Sequence, residues 1–350
     1  MEPEATQSLE SRAQASPARP FLLRALKAEL VDHLPAWFVY LEAIGLLHAL
    51  LANYPAAGFT RLHVGRERFV PTVALPLAWF AGYMVLRIRR TTAAGRWKAY
   101  LALAATTVGV PALIVLASRS QPMMRSQLET LFEVSQFAWV ALFATQIALA
   151  RGSASVARFF GVTLLYGMIL ENTGIAMGFF RETGFHLYLP GLPAPLCTML
   201  GWSVVFYTVV ALVEKLAEWI PWLSGGVWRR ALLATAAALS LDAQLDPMAS
   251  MSGTFWHWNP LLAQRFLGVP LINFAAWVGA FLPFTYFLFQ LGERRGLSER
   301  RRNVALLLRV PVAAALGGGI CFGLMAIAEA GFGGPSFHIL GSFFARIVGL

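Results

Sequence analysis

Residues 231–260 read ALLATAAALSLDAQLDPMASMSGTFWHWNP. The stretch begins as an apolar helix, sets Asp242 and Asp246 one turn apart, meets Pro247 and ends in Trp256-His257-Trp258. A carboxyl group inside an apolar helix is costly, so two on one face need a reason. Four residues apart, they project from the same side about 6 Å apart along the axis. The pattern predicts a helix over 228–247 that the proline ends, with the tryptophans in a loop beyond it.

The rest of the chain has the same solvent preference. Of its 350 residues 57% are hydrophobic and 13% charged, against about 25% charged in soluble domains. Apolar runs of membrane-crossing length fall near 33–54, 69–87, 98–118, 129–150, 157–180, 195–214, 228–247, 267–291 and 303–329. The final FHILGSFFARIVGL is too short to cross and reads as interfacial. The first thirty residues lack the basic start, apolar stretch and cleavage site of a signal peptide and read as a tail.

The expected fold class is all-α: a polytopic transmembrane helical bundle of about nine spans. Lys and Arg number nineteen in the tail and the segments after even-numbered spans, the border residues of the flanking spans included, against seven after odd-numbered ones. That asymmetry predicts a cytoplasmic N-terminus and a prokaryotic-type inner membrane. It also explains the net charge of +10 without invoking nucleic acid. Cys197 and Cys321 both lie in apolar runs and make neither a disulfide nor a metal framework. The chain divides into a tail (1–32), membrane helices without a motif (33–150), a core (151–291), and a last helix with a short interfacial segment (292–350).

Polar groups collect on one side. Glu171 lies in LLYGMILENTGIAMGFF beside Asn172, with Gly167, Gly174 and Gly178 suited to close helix packing. Asn273 and Trp277 share a face of the span that starts near 267. Alternating spans bring Glu171, Asp242, Asp246, Asn273, Trp277, Trp256 and Trp258 into the same half of the bilayer. Glu42, Glu133, Glu214 and Glu329 read instead as pairing or boundary residues.

Several carboxyl groups and aromatic rings in an apolar pocket, with no metal-ligand or nucleophile motif, suit proton chemistry on a lipid-soluble alkene. A protonated carboxylic acid adds a proton to an isoprenoid double bond, tryptophan faces stabilise the tertiary cation, and a second carboxylate orients water onto it. Asp242 or Glu171 is the candidate acid and Asp246 the candidate base.

At these residues the sequence resembles the CruF-type carotenoid 1,2-hydratase family. The family pattern Asp-x-x-x-Asp-Pro, Trp-x-Trp, Gly-[Ile/Val]-Pro-x-x-Asn-Phe-x-x-Trp falls on Asp242, Asp246, Pro247, Trp256, Trp258, Gly268, Val269, Pro270, Asn273, Phe274 and Trp277. An upstream block carries Glu171, Gly174, Gly178, Tyr188, Pro195 and Trp202. The resemblance spans about 160–290. It implies hydration of the terminal C1–C2 double bond of an acyclic carotenoid such as lycopene or γ-carotene, with no cofactor. Asn172, Tyr188, Trp202, Trp256, Trp258, Asn273 and Trp277 would contact the substrate. Membrane lipid and neighbouring carotenoid enzymes are the remaining expected partners.

Two other readings share some of these features. An intramembrane prenyltransferase holds Mg²⁺ on an Asp-x-x-x-Asp helix, and DAQLD has that spacing; a second such motif is missing. A proton-coupled transporter would also bury carboxyl groups, but no inverted repeat is visible.

Overall fold

The computed structural model describes residues 29, 31–39, 75–92, 95–97, 100, 101, 104, 125–250, 255–262, 265, 266 and 268–332. Backbone entering lipid must satisfy its own N–H and C=O groups, and the described chain does so mainly as helix. Residues 31–39 are helical. They are followed by α1 (Leu75–Arg90), α2 (Arg125–Arg151), α3 (Ser153–Ala176), α4 (Leu196–Trp219), α5 (Val227–Ala249), α6 (Leu271–Glu293), α7 (Glu299–Leu307) and α8 (Val310–Phe332). Two short antiparallel ribbons supplement them: β1 (Phe180–Glu182) pairs with β2 (Trp256–Trp258), and β3 (Arg265–Phe266) with β4 (Val269–Pro270).

Five of the described helices, α2, α3, α4, α6 and α8, are long and apolar enough to cross a membrane, which marks a membrane protein. Although α5 has 23 residues, Asp242, Gln244 and Asp246 lower its hydropathy. It compensates by burying all three of these side chains.

The central element is α4, which buries residues around most of its circumference, from Val204 to Val213. A helix apolar on every side belongs inside a bundle. Phe206 stacks on Phe281 of α6 with ring centroids 4.1 Å apart, and Tyr166 of α3 stacks on Phe284 at 4.6 Å. The Tyr166 hydroxyl donates to the Ala280 carbonyl at 3.0 Å, so its one polar atom is satisfied inside the core. Where α6 crosses α8, Gly279 and Gly317 lie backbone to backbone, and a Cβ on either would collide with the other's carbonyl.

Ion pairs gather at one end of the bundle. Arg151 meets Glu214, Arg230 meets Glu293, and Arg158 meets Glu299. These residues lie at the end of α2 and late in α4, near the start of α5 and at the end of α6, and near the starts of α3 and α7. The opposite end collects the late residues of α3 and α5, the first turns of α4 and α6, and the β1–β2 ribbon.

Several sequence expectations need correction. The span expected over 157–180 ends at Ala176: Gly178, at φ 75°, turns the chain, with Phe179 N donating to Gly174 O and Gly178 N to Ile175 O. Gly178 is therefore a helix cap and not a packing residue. Gly174 gives room to the Phe180 ring, and only Gly167 serves helix packing, against Trp202 and Met199 of α4. Pro247 does not end its helix. It lies within the final turn of α5, which runs on to Ala249. The span expected over 303–329 is two helices, because Pro311 lacks the N–H that would continue α7 across Leu308 and Arg309. Trp256-His257-Trp258 is a strand, not a loop. Most of the spans expected at 33–54 and 98–118, Glu42 and the terminal FHILGSFFARIVGL lie outside the described residues.

Candidate functional site

A cavity of about 400 Å³ occupies the ribbon end of the bundle. Its walls are mostly apolar, from α3, α4, α6 and α8, and its polar groups are few: Glu171, Glu182, Asp246, Asn273, Thr198, Thr173 and Gln136. Thr173 both lines the cavity and is exposed, so the edge of the cavity reaches the surface of α3. Phe132 and Gln136 of α2 and Ala314 to Phe322 of α8 extend the walls beyond the 151–291 segment that carries the motifs.

The helical spacing of Asp242 and Asp246 does what the sequence reading anticipates. Both carboxyl groups are buried on the face of α5 that meets α6. There the Asn273 amide nitrogen donates to both, at 3.0 and 3.1 Å to the Asp242 oxygens and 2.5 Å to Asp246 Oδ2. The two carboxyls also lie within hydrogen-bonding reach of each other. Asp246 reaches the cavity wall; Asp242, fully buried, stands behind it and is not part of the lining.

Glu171 comes from the last turns of α3 and is buried. Trp202 Nε1 of α4 donates to its Oε2 at 2.5 Å. The Trp202 ring packs against Trp277 with centroids 4.9 Å apart, and Trp277 stacks on Phe281 at 5.3 Å and 16°. Two indole rings thus flank the region between Glu171 and the Asp246–Asn273 group.

The structure adds a carboxyl group that no motif of the sequence marks. In the β1–β2 ribbon Glu182 is paired across from Trp256 and Phe180 from Trp258. Side chains two apart on a strand share a face, and all four of these line the cavity. Glu182 is buried, lies within hydrogen-bonding reach of Glu171, and accepts from Thr198 Oγ1 at 3.1 Å. Its other oxygen, Oε1, meets no donor among the described residues, and neither Trp256 Nε1 nor Trp258 Nε1 meets an acceptor. No periodicity in the sequence marks Glu182; only the pairing of 180–182 with 256–258 brings it to the cavity.

Burial, and after it the neighbouring Glu171 carboxyl, push Glu182 well above the usual carboxylate range. A raised native pKa means that the folded chain keeps a proton the unfolded chain releases. Stability is then full below the ordinary glutamate pKa and falls as pH rises towards the native value. In detergent the unfolding midpoint should therefore decline from acid to neutral pH, and Glu182→Gln should flatten that decline. Superimposable pH profiles for the two proteins would contradict this.

Two of the sequence-derived candidates are elsewhere. Asn172 faces the following loop: its amide donates to Met168 O at 2.8 Å and its carbonyl accepts from Ala194 N at 3.1 Å. Tyr188 is 40% exposed and bridges to Pro195. Neither lines the cavity. Glu133 pairs with His186 and Leu187 N, and Glu214 with Arg151, as the pairing reading expects.

What the cavity brings together is a set of carboxyl groups, indole faces and apolar walls, with no Lys or Arg among the described lining residues. Such a lining suits an apolar molecule handled with protons, and comparison with known proteins points to the same kind of molecule. No curated protein and no solved structure matches the chain. The family model described as "Carotenoid biosynthesis protein" matches residues 128–336, from the first turn of α2 to just beyond α8. That match takes in every wall of the cavity except the Phe38 contribution and covers well over half of the chain, which therefore belongs to the carotenoid biosynthesis protein family.

Proposed function

We propose that the protein is a carotenoid 1,2-hydratase, adding water to the terminal C1–C2 double bond of an acyclic end group to give a tertiary 1-hydroxy carotenoid. The observation that carries this reading is the set of carboxyl groups at one apolar cavity flanked by indole rings: Glu171 beside Glu182, and Asp246 backed by the buried Asp242. Alkene hydration needs a proton donor, walls that tolerate a cation, and a base that holds water.

Glu171 is the proton donor, since it reaches the cavity and Asp242 does not. Its proton goes to C2 and leaves the positive charge on the tertiary C1. The faces of Trp202 and Trp277 meet that charge, each contact contributing roughly 0.5–2 kcal/mol. Asp246 draws a proton from the water that attacks C1, while Asn273 and Asp242 fix its orientation. Hydration changes no overall oxidation state, so the reaction calls for no redox cofactor. The cavity volume suits the terminal isoprene units of the polyene, and the remaining chain passes into lipid at the exposed cavity edge on α3.

A diphosphate substrate, as in an intramembrane prenyltransferase, would bring its charge against three carboxyl groups with no basic side chain among the described lining residues to meet it. The cellular setting we propose is a prokaryotic-type inner membrane with the N-terminus cytoplasmic. Expression in cells that make lycopene tests the function: the expected extract contains a carotenoid heavier by one water, and unchanged lycopene in cells holding folded protein overturns it.

A further inference from the structure

The proposed hydration leaves a proton out of place after each turnover. Glu171 has lost one to C2 and Asp246 has gained one from water, and passing a proton from Asp246 back to Glu171 resets the site without exchange with bulk water. The cavity face of the β1–β2 ribbon carries groups suited to that passage. Trp256 Nε1 and Trp258 Nε1 are buried donors without acceptors, and Glu182 Oε1 is a buried oxygen without a donor, all among the described residues. Strand alternation places the three side chains on one face, and all three line the cavity that Asp246 lines.

A buried polar group left without a partner is destabilising, and buried water commonly makes two to four hydrogen bonds to such groups. Two N–H donors and one carboxyl oxygen match the needs of a water oxygen and one of its hydrogens. The second hydrogen-bonding direction of Glu182 leads to Glu171.

We infer that the ribbon face is a water site, with Trp256 and Trp258 donating and Glu182 accepting, and that Glu182 returns the proton to Glu171. The step balances: Asp246 takes the place of one indole donor on the bound water and gives it the acquired proton, and the water passes one of its own to Glu182 as Glu182 passes its proton to Glu171. No electron moves and no further reactant is consumed. This rests on the hydratase reading for its purpose, but the water site itself does not.

The test uses the full chain purified in detergent and has two arms. In a high-resolution experimental structure, an ordered oxygen within hydrogen-bonding distance of both indole nitrogens and Glu182 is expected; a dry contact there overturns the site whatever the activity. In rapid mixing with an acyclic carotenoid, Glu182→Gln should form its first equivalent of product at close to the wild-type rate and then slow by ~10²-fold. Parallel loss of the first and later turnovers, as a structural defect would give, overturns the relay, and so does an unchanged steady-state rate. Wild-type protein that forms no hydrated product refutes the hydratase reading, and the structural arm then still decides the water site.

Discussion

Replacing Glu171 with Gln, or Asp246 with Asn, is expected to lower the yield of hydrated carotenoid by ~10²–10⁴-fold, the usual contribution of a positioned acid or base. Each change keeps side-chain volume and leaves hydrogen-bonding atoms in place, so the Trp202–Glu171 and Asn273–Asp246 contacts can re-form around an amide. What is lost is the capacity to give or take a proton. Asp242→Asn should be milder, because Asp242 touches Asn273 and Asp246 and does not reach the cavity. Glu214→Gln, in the ion-paired end of the bundle, supplies the control and should leave yield within twofold or so of wild type. Product quantified per folded protein checks all four, and wild-type yield from both Glu171→Gln and Asp246→Asn would remove the chemistry from this cavity.

The largest effect on stability is expected at the α6–α8 crossing. Gly279→Leu would drive a side chain into the Gly317 backbone, where even a Cβ has no room. Overpacking a core with movable side chains typically costs 1–3 kcal/mol; here the obstacle is main chain, and the only relief is to part the two helices. That separation would also open the cavity wall built from Gly317, Gly318 and Cys321. Total stabilities of about 5–15 kcal/mol leave little margin for such a loss. Gly279→Leu should therefore fail to yield monodisperse protein in detergent, whereas Gly319→Ala, with open space around its added carbon, should elute normally. A well-folded Gly279→Leu protein would show that the crossing is looser than described.

Much of this arrangement is legible in residue order because it depends on local periodicity. The four-residue spacings of Asp242 with Asp246 and of Asn273 with Trp277 each fix a helix face, and alternating spans fix the end of the bundle at which those faces meet. The Asn273 bridge between the two aspartates follows from that geometry. Glu182 was not legible in the same way. A short charged strand between a helix cap and a loop has no periodic signal, and only pairing with residues more than seventy positions away carries it into the cavity. Pro247 misled for a related reason: a proline in the last turn sacrifices one backbone bond without ending the helix. Asn172 shows the opposite limit. Its polarity inside an apolar helix suggested a ligand contact, and it is taken up by backbone, Met168 O of its own helix and Ala194 N of the loop before α4.

Growing lycopene-producing cells that express the protein in water enriched in oxygen-18 is the most direct trial of the central claim, that this cavity adds water to an alkene. The account predicts a tertiary alcohol whose oxygen carries the heavy isotope, formed by wild type and lost in Glu171→Gln. An alcohol whose oxygen comes from molecular oxygen, or a labelled product that persists undiminished without the Glu171 carboxyl, would contradict it.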